Sequence, residues 1–139
     1  MKIHGDEGWD KYPSYFNIFI PHVLALLDEL DLKITFFIVG KDASIETNLP
    51  YLKMLSEYGH EVGNHSFHHE SWLQTYSREQ LKMELQCAEE SIVNATGKKP
   101  RGFRGPGFSW SHDLLEVLHE MDYHYDASTL PTYIGPIAR

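Results

Sequence analysis

Cysteine is almost missing from this chain. Cys87 is the only one in 139 residues, so no disulfide framework can hold the fold together. It falls inside a helical pattern spanning 81–92, where a buried thiol is expected. Cations are scarce as well. Twelve Lys and Arg against twenty Asp and Glu leave a net charge of −8, with no basic run anywhere. That balance argues against nucleic acid as a partner, because phosphate binding needs clustered Lys and Arg. No apolar run approaches the roughly 18 residues of a membrane span, and the N-terminus has no signal-peptide pattern. The expectation is a soluble, cytoplasmic chain with no membrane contact. Internal repeats are also absent. What is present is a composition 42% hydrophobic and 13% aromatic, enough for one packed domain and far from that of a disordered chain. Nine histidines are a weak compositional pointer to metal chemistry.

Hydrophobic patterning alternates helix and strand. Residues 19–30 place Ile20, Val23, Leu24, Leu27 and Leu30 on one stripe, with Pro21 in the first turn. Residues 33–39 (K-I-T-F-F-I-V) are almost continuously apolar and read as a strand buried on both faces, hence a parallel sheet. A second amphipathic helix covers 48–58, stopped by Gly59, and a short strand covers 60–64. Ser77 and Gln80 form a capping box for a helix with Leu81, Leu85, Ala88 and Ile92 on its apolar stripe, ended by Gly97. A strand near 102–104, a helix over 111–121 and a strand over 123–126 complete the pattern. This alternation predicts an α/β fold with right-handed crossovers. Ligands in such folds bind at the carboxyl ends of the strands, where the loops at 40–42, 65–69, 104–108 and 126–129 would gather.

The stretch G-N-H-S-F-H-H at 63–69 carries the sharpest chemical signal. His65 and His69 stand four residues apart where a strand opens into a loop or helical turn. On a helical turn the two would share a face and could converge on one divalent ion. The competing reading is a histidine-rich surface loop that binds nothing. His68 is expected to point away from the pair, and His4, His22, His60, His112, His119 and His124 are assigned no role.

Four blocks in fixed order resemble the polysaccharide deacetylase family, the metal-dependent carbohydrate esterases that share the NodB homology domain. They are T-F-F-I-V-G at 35–40, G-H-E-V-G-N-H-S-F-H-H at 59–69, R-G-P-G-F at 104–108 and Y-D-A-S at 125–128. The resemblance implies a distorted (β/α) barrel, of which residues 1–139 would form a single, incomplete domain. It also implies a divalent metal, most often zinc, and hydrolysis of N-acetyl or related acyl groups on amino-sugar polysaccharides or oligosaccharides. By the same resemblance His65 and His69 are metal ligands, and the Ser66 hydroxyl steadies their loop or one of the ligating imidazoles. Arg104 orients the catalytic carboxylate, and Asp126 helps position Arg104 or substrate. Pro106 and Gly107 shape the groove wall. Phe108 and Trp110 are candidates to stack on a sugar ring, with ordinary packing as the alternative.

Two departures from the family pattern bear on activity. Asp6-Glu7-Gly8 mimics the family's Asp-Asp-Gly, which supplies the general base and a metal ligand, but it lies farther ahead of Thr35 than expected. The late Leu-x-His motif, source of the general acid, has no counterpart before Arg139. The chain therefore reads as truncated at both ends, with impaired hydrolysis and open sheet edges that invite self-association. The alternative is a non-catalytic carbohydrate-binding or regulatory relative. A third reading, a metal-stabilised interaction domain, is disfavoured because structural zinc sites are usually closed by four ligands rich in Cys.

Overall fold

The four strands among the described residues run parallel, and their order along the sheet is their order along the chain. The computed structural model describes residues 14–129. Within them β1 (Thr35–Ile38), β2 (Glu61–Asn64), β3 (Gly102–Phe103) and β4 (Tyr125–Asp126) pair as β1-β2-β3-β4. Right-handed crossovers that always step in one direction keep every connecting helix on the same face. A doubly wound sheet instead reverses its order partway. The observed order is that of one side of a (β/α) barrel, in agreement with the expected fold class.

The connecting helices are α1 (Phe16–Glu29) before β1, α2 (Gly40–Ala43) and α3 (Leu49–Glu57) between β1 and β2, α4 (Arg78–Thr96) between β2 and β3, and α5 (His112–Glu120) between β3 and β4. The longest, α4, has the local signals its sequence promises. The Ser77 hydroxyl accepts the Gln80 N–H, the Gln80 side chain returns to the Ser77 N–H, and Gly97 ends the helix at φ +72°. Its buried stripe joins two core clusters. Leu81 and Leu85 pack with Leu73, Phe103, Leu114 and Val117. Ile92 and Ala95 pack with Ile20, Leu24, Leu52 and Leu55.

Three expectations are corrected. Helix α1 begins at Phe16, so Pro21 lies inside it rather than in its first turn; Phe16, Ile20, Leu24 and Leu27 form its buried stripe while Leu30 is 55% exposed. Strand β1 is only partly buried, because β2 is its one strand neighbour among the described residues. Phe36 packs into the core on the helix side. Phe37 lies on the opposite face, 6.5 Å from the Tyr125 ring. Its register partner is Gly63, where an added Cβ would come within 2.7 Å of the Phe37 ring. Cys87 is half-buried, not buried. Among the described residues, no helix is long and apolar enough to cross a membrane.

Candidate functional site

The histidine segment leaves the carboxyl end of β2 as an irregular loop, not a helical turn. Ser66 and His69 both adopt left-handed backbone, φ +62° and +61°, which costs an L-residue on the order of 1 kcal/mol. Hydrogen bonds hold that geometry at every amide from 65 to 69. The His65 N–H donates to the Ile38 carbonyl at 3.0 Å, and the Ser66 N–H donates to the Asn64 side-chain oxygen at 2.8 Å. The Phe67 and His68 N–H groups both donate to Glu84 Oε1, at 2.9 and 2.6 Å. The His69 N–H donates to Ser66 Oγ at 3.0 Å, so this hydroxyl steadies the loop directly. On the acceptor side, the Ser66 and Phe67 carbonyls take the Gly40 and Lys41 N–H groups at the start of α2. Asn64, fully buried, donates to the Leu85 carbonyl and to the Tyr123 hydroxyl.

This loop brings the His65 and His69 rings to 4.9 Å between centroids. His65 Nδ1 bonds the backbone carbonyl of Arg104. A carbonyl can only accept, so Nδ1 holds the hydrogen and Nε2 keeps the lone pair a metal would use. Burial pushes the His65 pKa down. The Arg104 carbonyl opposes that shift, while the charges of His69 and Arg104 add to it. The ring therefore favours its neutral, ligating form. His68 points elsewhere, its Nδ1 at 2.8 Å from Glu84 Oε2.

Arg104 leaves the carboxyl end of β3. Its Nε donates to the Ala127 carbonyl at 3.2 Å, and its guanidinium lies 4.5 Å from the centre of the Phe37 ring. Asp126, expected to help position Arg104 or substrate, accepts from the Ser128 amide and hydroxyl. The following loop turns tightly through Pro106–Phe108, with Gly107 at φ +61°. A Cβ at Gly107 would meet Ser71 at 2.9 Å, so this turn packs against the chain that follows the histidine loop. Phe108 is 54% exposed and Trp110 38% exposed.

Glu84 lies outside every quoted motif, and Asn64 lies within the G-N-H-S-F-H-H stretch with no role assigned to it. The signal for Glu84 was available: a carboxylate on the same face of α4 as Leu81, Leu85 and Ala88, where an ionisable group needs a reason. A cavity of about 460 Å³ lies at the other end of the sheet, lined by His60, Glu61, Lys98, Lys99 and Arg101. Its two lysines already bond carbonyls, Lys98 that of Ser56 and Lys99 that of Met121, so it is no rival to the histidine loop.

Two neighbouring imidazoles, one with its tautomer set by a carbonyl, suit a divalent cation as a pair of donors. Among the described residues, no group of three His, Cys, Asp or Glu side chains could hold a metal ion. Asp42 in α2 is influenced by His69: burial raises its pKa, and the charges of His69 and Lys41 oppose that. It does not complete such a group. Asp6 lies outside the described residues.

Comparison with known proteins gives this geometry a family. The profile for polysaccharide deacetylase matches residues 6–125. A peptidoglycan deacetylase of Helicobacter pylori is 33% identical over 117 residues, covering 84% of this chain and 39% of the relative. The peptidoglycan-N-acetylmuramic acid deacetylase PdaA of Bacillus subtilis is 35% identical over 111 residues, covering 79% and 41%. In structure, a CE4 family pseudoenzyme from Bacillus anthracis superposes with a TM-score of 0.73 at 29% identity, covering 82% of this chain and 40% of the other; a mutant of it is described as having restored enzymatic activity. The chain thus spans about two fifths of the length of these relatives. With the profile running from the first described strand to the start of β4, and the histidine loop at the strands' carboxyl ends, the chain belongs to the polysaccharide deacetylase family.

Proposed function

We propose that this chain binds amino-sugar polysaccharide or oligosaccharide as a non-catalytic or regulatory relative of the deacetylases. The observation that carries this reading is the half-built centre. His65 and His69 converge, and no third ligand joins them among the described residues. Likeness to a CE4 family pseudoenzyme supports it. In this reading Pro106, Gly107 and Phe108 form one wall of the glycan groove beside the histidine loop. Phe108, half exposed, offers a face to a sugar ring.

The second reading is hydrolysis of N-acetyl groups, favoured by the prepared His65 tautomer and by the deacetylase relatives. His65 and His69 would hold a divalent ion, zinc being well suited to imidazole, and the bound ion supplies Lewis acidity and a water of lowered pKa. Arg104, anchored to Ala127 and over Phe37, would orient the carboxylate that receives the water's proton.

One experiment separates the two readings. The purified 139-residue chain is titrated with N-acetylated chito-oligosaccharides in the presence of zinc, while acetate release is followed. Binding without acetate, weakened by Phe108→Ala, is the expected result. Turnover that Asp6→Ala and His65→Ala both abolish would establish the hydrolase instead, and absence of binding and turnover together would defeat both readings.

A further inference from the structure

We propose that Glu84 is the positioning residue of the histidine loop: from helix α4 it clamps the loop midway between His65 and His69 and so holds the His69 ring beside His65. The inference rests on the reading that these two histidines hold a divalent ion. Glu84 is 6% exposed. A carboxylate buried that deeply is costly unless its oxygens are fully engaged. Among the described residues its only ion-pairing partner is His68. Its other bonds go to backbone. Oε1 accepts from two consecutive amides, Phe67 and His68, and Oε2 faces His68 Nδ1 at 2.8 Å. Two successive N–H groups turned toward one oxygen form a small anion cradle, here filled by the protein's own carboxylate.

The position of that cradle gives it a consequence. The clamped amides lie between the two left-handed residues, Ser66 and His69. Neither residue type prefers that conformation, and a loop released from Glu84 would relax toward ordinary backbone angles. Relaxation would swing the His69 ring away from His65, whose own position is tied separately to Ile38 and Arg104. Glu84 therefore acts on the site through the backbone of the loop. Its own placement is rigid, because Leu81 and Leu85 beside it are 1% exposed and locked in the core.

The test compares the full chain with Glu84→Ala, Glu84→Gln and His65→Ala, reading zinc affinity by calorimetry and amide hydrogen exchange without metal. Glu84→Ala should weaken zinc binding about 10–100-fold, the usual scale for outer partners of metal ligands. It should speed exchange at Phe67 and His68 while leaving the amides of α4 unchanged. Glu84→Gln keeps an acceptor oxygen for the two amides and should recover most of both effects. Unchanged exchange at 67 and 68 in Glu84→Ala overturns the proposal; so does a glutamine variant no better than alanine. If wild type fails to bind zinc, or His65→Ala binds it equally well, the metal reading fails by itself, and the exchange data still decide whether Glu84 holds the loop.

Discussion

His60 sits at 3% exposure with its Nδ1 3.4 Å from the Ile34 N–H and its ring edge-on to Phe36 at 5.4 Å. It takes no part in the histidine loop, yet it limits the fold on the acid side. Burial, reinforced by the charge of Lys33, pushes its pKa below the ordinary histidine value. The folded state therefore prefers the neutral ring, and the unfolded chain takes up its proton first as pH falls. Stability should be fully present above the unfolded value of about 6.5 and decline as pH drops through the lower folded pKa. Urea midpoints measured from about pH 7.5 down to about pH 5 should fall less steeply for His60→Gln than for wild type. Parallel curves would mean that carboxylates alone set the acid limit.

At the scale of elements, what could be read from sequence is what local chemistry controls. Helix α4 announces itself through Ser77, Gln80 and Gly97, and each acts within a turn of the helix end. Ser77→Ala should accordingly lower stability by about 1 kcal/mol, read from the thermal midpoint, as capping losses do. The start of α1 lies earlier than the apolar pattern suggests, because Tyr15, at its N-cap, offers no side-chain cap and Pro21 invites a first-turn reading. Helix α2 was invisible for a different reason. Its four residues begin with Gly40 and are held by loop contacts, the Gly40 and Lys41 amides bonding the Ser66 and Phe67 carbonyls. A Cβ at Gly40 would fall 2.5 Å from Ala88 Cα and 2.8 Å from the Phe67 ring. Gly40→Ala should cost about 1–3 kcal/mol and loosen the histidine loop, seen as faster exchange of the amides at positions 40 and 41. The site shows the same division. The histidine pair, Arg104 and the Pro106–Phe108 turn stand in recognisable motifs. The left-handed backbone that joins His65 to His69 is held partly by local side chains, Asn64 and Ser66, and partly by Glu84, which stands outside the motif 16 residues beyond His68.

At the scale of the whole molecule, α4 is the element on which both halves of the core depend. Leu85 belongs to the cluster with Phe103 and α5, Ile92 to the cluster with α1 and α3. Both side chains are at most 1% exposed. The other tie between α4 and α5, Arg78 bridging Glu116 and Glu120, is largely exposed and contributes little. If one continuous helix couples the clusters, neither can open while the other stays closed. Leu85→Ala and Ile92→Ala should each cost about 2–5 kcal/mol. More tellingly, each should lower amide protection in α1 and in α5 by the same free energy, since both helices would exchange through one global opening. Protection lost in α5 alone after Leu85→Ala would divide the molecule into two units joined by a frayed helix. Glu84 precedes Leu85 on that helix, so the outcome reaches the site: a cooperative α4 holds the histidine loop with the stability of the entire fold, whereas a divided one holds it only with that of the α5 cluster.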